Sequence, residues 1–134
     1  MQPYAPALAK TVRSGHDEIM RLARLRVADL GIALDEPELE QLIHGFETLL
    51  LEALEGRGTD TRDFFLETAI PGVIQAGLQT RDEVVGGVAA WAVLLSTSLV
   101  ERLPEESREP ATLWLSRFFG DYAEATARVA REAQ

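Results

Sequence analysis

The chain has no cysteine, which excludes disulfides, thiolate metal sites and cysteine nucleophiles. It has almost no lysine: arginine supplies twelve of the thirteen basic residues, a mark of genome composition rather than chemistry. Basic charge as a whole is scarce, with a net charge of −9, and such a surface repels phosphate backbones and argues against nucleic-acid binding. The N-terminus, MQPYAPALAK, lacks the charged start and long apolar stretch of a signal peptide, so the cytoplasm is the expected compartment. There is no Gly-rich phosphate loop, no HExxH and no serine elbow, and no strand pattern, internal repeat or low-complexity linker competes with helix. No constellation offers a partnered acid and base, so catalysis and enzyme activity are not expected.

What is present is one apolar run, Val84–Val100 (VVGGVAAWAVLLSTSLV), without a charge between Glu83 and Glu101. Thr80 and Glu83 have the spacing of a capping box and Pro104 closes the segment, which predicts a helix from about Arg81 to Leu103. Val84, Val88, Trp91, Leu95 and Leu99 form an apolar stripe at helical spacing. Gly86, Ala89, Ala90, Val93 and Thr97 form a second, small-residue stripe, expected to meet a close neighbour as a symmetric homodimer interface. The helix is expected at the centre of the domain, buried on most sides. A membrane span is the rival, but seventeen residues rise only ~26 Å against a hydrocarbon core of ~30 Å. The Gly86–Gly87 pair, Ser96–Thr97–Ser98 and the acidic flanks also argue against it.

With 134 residues, 46% hydrophobic and 26% charged, the chain is large enough for one self-sufficient domain, 1–134. The charge is unevenly placed. Residues 1–30 carry five basic and three acidic side chains; residues 31–67 carry two basic and ten acidic. Residues 1–12, with Pro3 and Pro6, read as an irregular or short helical lead-in. Ser14 then caps a helix to about Leu30 that buries Ile19, Leu22, Ala23, Val27 and Leu30 and stops at Gly31.

The next helix carries a capping box at Asp35 and Glu38 with Pro37 in its first turn. Its expected buried face is Leu39, Leu42, Ile43, Phe46, Leu49, Leu50 and Ala53, with Glu40, His44, Glu47 and Glu55 pointing away. Gly56 and Gly58 end it. A third helix from Asp60 or Thr61 carries Phe64, Phe65, Leu66, Ala69 and Ile70, is broken or kinked at Pro71–Gly72, and stops at Gly77. The last helix is expected from Pro110 to Arg131, with Trp114, Phe118, Tyr122, Ala125 and Val129 as its stripe and Leu115 and Phe119 flanking. The class is all-α, five to six helices, two of them long and adjacent at the C-terminal end. His44 with Glu40 and Glu47 is spaced Glu-x-x-x-His, occurs once and lies on the polar face, so no metal site is expected; His16 reads as a surface residue.

ELEQLIHGFETLLLEAL, VIQAGLQTRDEVVGGVAAWAVLL and WLSRFFGDYAEA together resemble the globin-like, non-haem sensor domain at the N-terminus of RsbR-type stressosome proteins, over about residues 14–132. In the similar haem-binding sensor globins a proximal histidine lies four residues before the glycine matching Gly77, and here that position is Val73. The resemblance therefore implies a globin-like fold without haem or other cofactor. It further implies a regulatory domain for stress or kinase signalling, with a STAS-type protein or sensor kinase as partner. A fatty acid would be the guest of the vacated space, and Phe46, Leu50, Phe65, Val73, Trp91, Leu95 and Phe118 are expected to line it, with Arg62 or Arg81 for the carboxylate. RsbR-type proteins continue into a STAS domain; Met1 favours a stand-alone sensor over a fragment. The alternatives are a pure interaction or dimerisation module without ligand, and the ligand-binding domain of a helical transcription regulator, which the missing helix-turn-helix disfavours.

Overall fold

A computed structural model describes residues 4–31 and 34–133, and among these every regular element is helical. They are α1 (Tyr4–Ser14), α2 (His16–Leu30), α3 (Glu36–Leu54), α4 (Asp60–Phe64), a π-helical turn (Phe65–Ala69), α5 (Ile70–Gln75), α6 (Arg81–Glu101) and α7 (Glu105–Glu132). The all-α class and the two long C-terminal helices stand as the sequence pattern predicts.

The local stop and start signals act as expected. Asp35 accepts from the Glu38 N–H while Glu38 reaches back to the Asp35 N–H, and Thr80 and Glu83 do the same at the head of α6. Gly31 and Gly77 take the left-handed conformation, φ +66° and +73°, which closes α2 and α5 and strains any residue with a Cβ. At Pro71, which has no N–H to donate, the chain widens by one π turn: the Ile70 N–H reaches Phe65 O instead of the carbonyl four residues back. That turn keeps α4, the π segment and α5 in one continuous helical rod.

Three expectations about the elements change. The lead-in is a full helix: Tyr4, Leu8 and Val12 of α1 are core residues, and the chain breaks at Gly15, which heads α2 without any side-chain cap from Ser14. Pro3 and the side chain of Leu30 lie outside the described residues. The last helix begins five residues early, directly after Pro104, because Glu105 and Glu106 suit the positive end of the helix and Pro110 gives up a single internal hydrogen bond. Arg108 ties the α6–α7 turn by donating to the carbonyls of Leu103 and Glu101.

The core is one cluster. α6 and α7 pack as a hairpin across a three-residue link, α1 lies against α7, α3 and α6, and α5 and the π turn close the far side of α7. α7 is therefore covered on two sides, and this rotates its buried face. Ala111, Leu115, Phe119, Tyr122, Ala125 and Ala130 are inside, while Trp114, Phe118 and Val129 are half-buried at the edge. Leu42, expected inside, is exposed, and so is Phe64. Gly45 leaves room for the Phe65 ring, whose nearest atoms would stand 3.0 and 3.1 Å from a Cβ there.

The uneven charge is matched across the α1–α2 and α3 contact. Arg13 donates to both oxygens of Glu55 at 2.8 and 2.7 Å, Arg24 donates to Glu36, and within α2 Arg21 donates to Glu18. These hydrogen bonds, and then the cations' charge, hold the carboxyls of Glu55, Glu36 and Glu18 below the ordinary value of 4.5. A lowered folded pKa adds stability above the unfolded value and loses it as pH falls through the folded one. The melting temperature is expected to fall below about pH 4.5, and Glu55→Gln should reduce that acid-side drop. A melting temperature flat from pH 6 to 3 would remove these pairs from the account.

Candidate functional site

Three features could carry function, and the first is the outer face of α6. Val84, Leu95 and Leu99 are buried, and Val88, Trp91, Ala92 and Val100 pack against the core, so the expected inner stripe holds. The expectation of a helix enclosed on most sides does not. In its most apolar stretch of eighteen residues, long and apolar enough by composition to cross a membrane, 17% is buried. The physical reason is that the core uses only one stripe of α6, and none of the described residues lies over the other. Gly86, Ala89, Val93 and Thr97 are exposed and Ala90 is half-buried, with Val93 67% exposed and Leu94 39%.

α7 also has exposed positions without charge. Leu113, 60% exposed, stands as far from the α6–α7 turn as Val93, and Gly120 as far as Gly86. Open space lies where a Cβ would be at Gly86, Gly87 and Gly120. A glycine inside a helix costs about 1 kcal/mol relative to alanine, and no neighbour among the described residues requires these three.

The second feature is a set of aromatic rings. Phe46 of α3 stacks on Phe119 of α7, centroids 5.8 Å apart and planes 9° from parallel, and meets Trp91 and Tyr122 edge-on at 6.1 and 6.3 Å. Trp114, Phe118 and Tyr122 stack in turn along α7, at 5.1 and 6.4 Å. Of the expected pocket residues, Phe46, Leu50 and Leu95 are buried in the packed core, Phe65, Val73 and Trp91 pack against it partly buried, and Phe118 lies at its rim. Two clefts lie elsewhere: an open one of about 310 Å³ beside His16, and one of about 270 Å³ lined by Leu66, Pro71, Gln75 and Val129 among others.

The two arginines considered for a carboxylate are separated in role. Arg62 is half-buried on α4, near enough to Tyr122 for its charge to lower that phenol's pKa, but burial of the phenol dominates and pushes it up to about 12. Tyr122 is thus neutral at every physiological pH. Arg81 is exposed on the first turn of α6.

The third feature was missed in the sequence. His16 is half-buried and bridges two carboxylates of α3: Nδ1 lies 2.9 Å from both Glu47 oxygens and Nε2 lies 2.8 Å from Glu40 Oε1. Glu47, expected to point to solvent, is buried at 8% exposure, because α1 and α2 cross that side of α3; His44 stays exposed and lines the same cleft. The signal available was the spacing of Glu40 and Glu47, two helical turns apart on one face, beside a segment of opposite charge. The bond from Glu47, followed by that from Glu40, raises the His16 pKa above 6.5 against the opposing effect of burial. Its two ring nitrogens point to opposite partners, so the three groups do not converge on one cation, and no group of metal-ligating side chains is assembled among the described residues.

The chain matches no family model, no curated protein and no solved structure.

Proposed function

We propose that this chain is a non-enzymatic regulatory module that acts as a homodimer through the α6–α7 face, in the manner of a haem-free, globin-like sensor domain of the RsbR type. The observation that carries the reading is the exposed apolar face of α6. A second copy is the favoured occupant on charge. The chain carries −9, yet its helix is uncharged from Val84 to Val100, so two copies can meet there without opposing acidic groups. Two-fold pairing presents the same patch from each side, and the open position at Gly86 lets backbones approach closely.

The same resemblance gives Val73 in place of a haem-ligating histidine, and a STAS-type protein or kinase as the downstream partner. Between a ligand-binding sensor and a ligand-free interaction module, the filled aromatic cluster around Phe46 favours the ligand-free form. Sedimentation equilibrium of the purified chain at tens of micromolar tests the reading. A dimer is expected, and a monomer at that concentration would overturn it.

A further inference from the structure

We infer that His16 is a proton-operated latch between α2 and α3: charged, its ring ties both Glu40 and Glu47 to the first turn of α2; neutral, it releases Glu40 and loosens α2 at the Gly15 break. The inference is independent of the dimer. It starts from the geometry of the two contacts. A carboxylate only accepts, so two carboxylates on opposite ring nitrogens require an N–H on each, which is the imidazolium form. A neutral ring has one N–H, and its other nitrogen then faces a carboxylate with a lone pair.

The charges around the ring favour this arrangement. From α3 come Glu40, Glu47 and the exposed His44; from α2 itself come Asp17 and Glu18. From α1 comes Arg13, whose guanidinium is turned to Glu55, and from the end of α6 comes Arg102, which lies over Gly15 and donates to the Ser98 carbonyl. Arg24, the other cation near Glu40, donates to Glu36. The first turn of a helix is the wrong end for a cation, so the two carboxylates are what keep the ring charged there.

The order of release follows from burial. The Glu47 side chain is 10% exposed and that of Glu40 53%. Glu40 can be hydrated when its donor leaves and Glu47 cannot, so the remaining N–H stays on Nδ1 toward Glu47 and the contact that breaks is Nε2–Glu40. Because the folded pKa is raised, the latch is fully closed below the ordinary value of 6.5 and opens as pH rises through the higher folded one. The segment it frees begins at Gly15, where α1 and α2 are already separated.

Ring ¹⁵N NMR in a His44→Gln background, which leaves one histidine, reads the latch directly. His16 is expected to titrate above pH 6.5 and to leave the Nδ1–H tautomer when neutral, and Glu47→Gln should bring the midpoint down towards 6.5. Amide hydrogen exchange over residues 16–30, corrected for intrinsic rates, should speed up several-fold across that midpoint in wild type and show no such step in His16→Gln. A midpoint at or below 6.5, an Nε2–H tautomer, or α2 protection unchanged through the midpoint would each overturn the latch. The wild-type measurements suffice for this even if His16→Gln does not fold.

Discussion

Phe46→Ala is expected to lower the unfolding free energy by about 3–5 kcal/mol, the range for deleting a well-packed core aromatic. The α3 backbone does not come within contact distance of α6 or α7 among the described residues, so the ring spans the space that the backbones leave. It does so through one stacked and two edge-on partners drawn from both C-terminal helices. Edge-on and offset-stacked pairs each add about 0.5–1.5 kcal/mol beyond area burial, so the loss should fall high in the range. For a domain of ordinary stability, about 5–15 kcal/mol, this removes about a fifth or more of the total. Phe118→Ala removes a half-buried ring at the rim and should cost clearly less. Denaturant unfolding followed by circular dichroism measures both. A loss under about 1 kcal/mol for Phe46→Ala would mean that the ring cluster is not what joins α3 to the hairpin.

Val93→Arg is expected to weaken self-association at least a hundredfold while leaving the monomer folded. Val93 is 67% exposed within the chain, so an arginine there meets water, and surface changes of that kind stay within about 0.5 kcal/mol. In a two-fold dimer the same change introduces two like charges into one apolar contact, and an unpaired buried charge is strongly unfavourable. Ala90→Arg acts on the same face but is a less clean test, because Ala90 is half-buried in the monomer. Gly86→Ala supplies a control of opposite sign. It should stabilise the monomer by up to about 1 kcal/mol, since open space lies at its Cβ, while hindering close backbone approach in the dimer. If sedimentation of Val93→Arg matches wild type, the dimer does not use this face.

Much of the chain's organisation was legible because its signals are local. A capping box spans four residues, so Asp35–Glu38 and Thr80–Glu83 mark their helices without reference to anything else. The stops at Gly31 and Gly77 depend on one backbone conformation each. The inner stripe of α6 follows from spacing alone. Errors arose where a local rule met a distant partner. Proline suggested that α7 begins at Pro110, whereas Pro104 and the acidic first turn start the helix and Pro110 is absorbed within it. The Trp114 stripe suggested the buried face of α7, but coverage from two sides selects Leu115 and Phe119.

By itself, then, the sequence determined an all-helical chain with two long C-terminal helices, where most of its helices stop and start, and an uncharged α6 with one inward stripe. Those properties come from backbone geometry and hydrophobic periodicity, which act over one to five turns. Only the tertiary structure decided that His16 meets Glu47 across 31 positions, that Phe46 stacks on Phe119, and that none of the described residues covers the outer face of α6. Each of these depends on how helices are laid against one another, and helix-to-helix placement is set by the whole core at once. A carboxylate on a polar stripe reads as solvated until the helix that crosses it is known, and Glu47 is buried because α1 and α2 cross there.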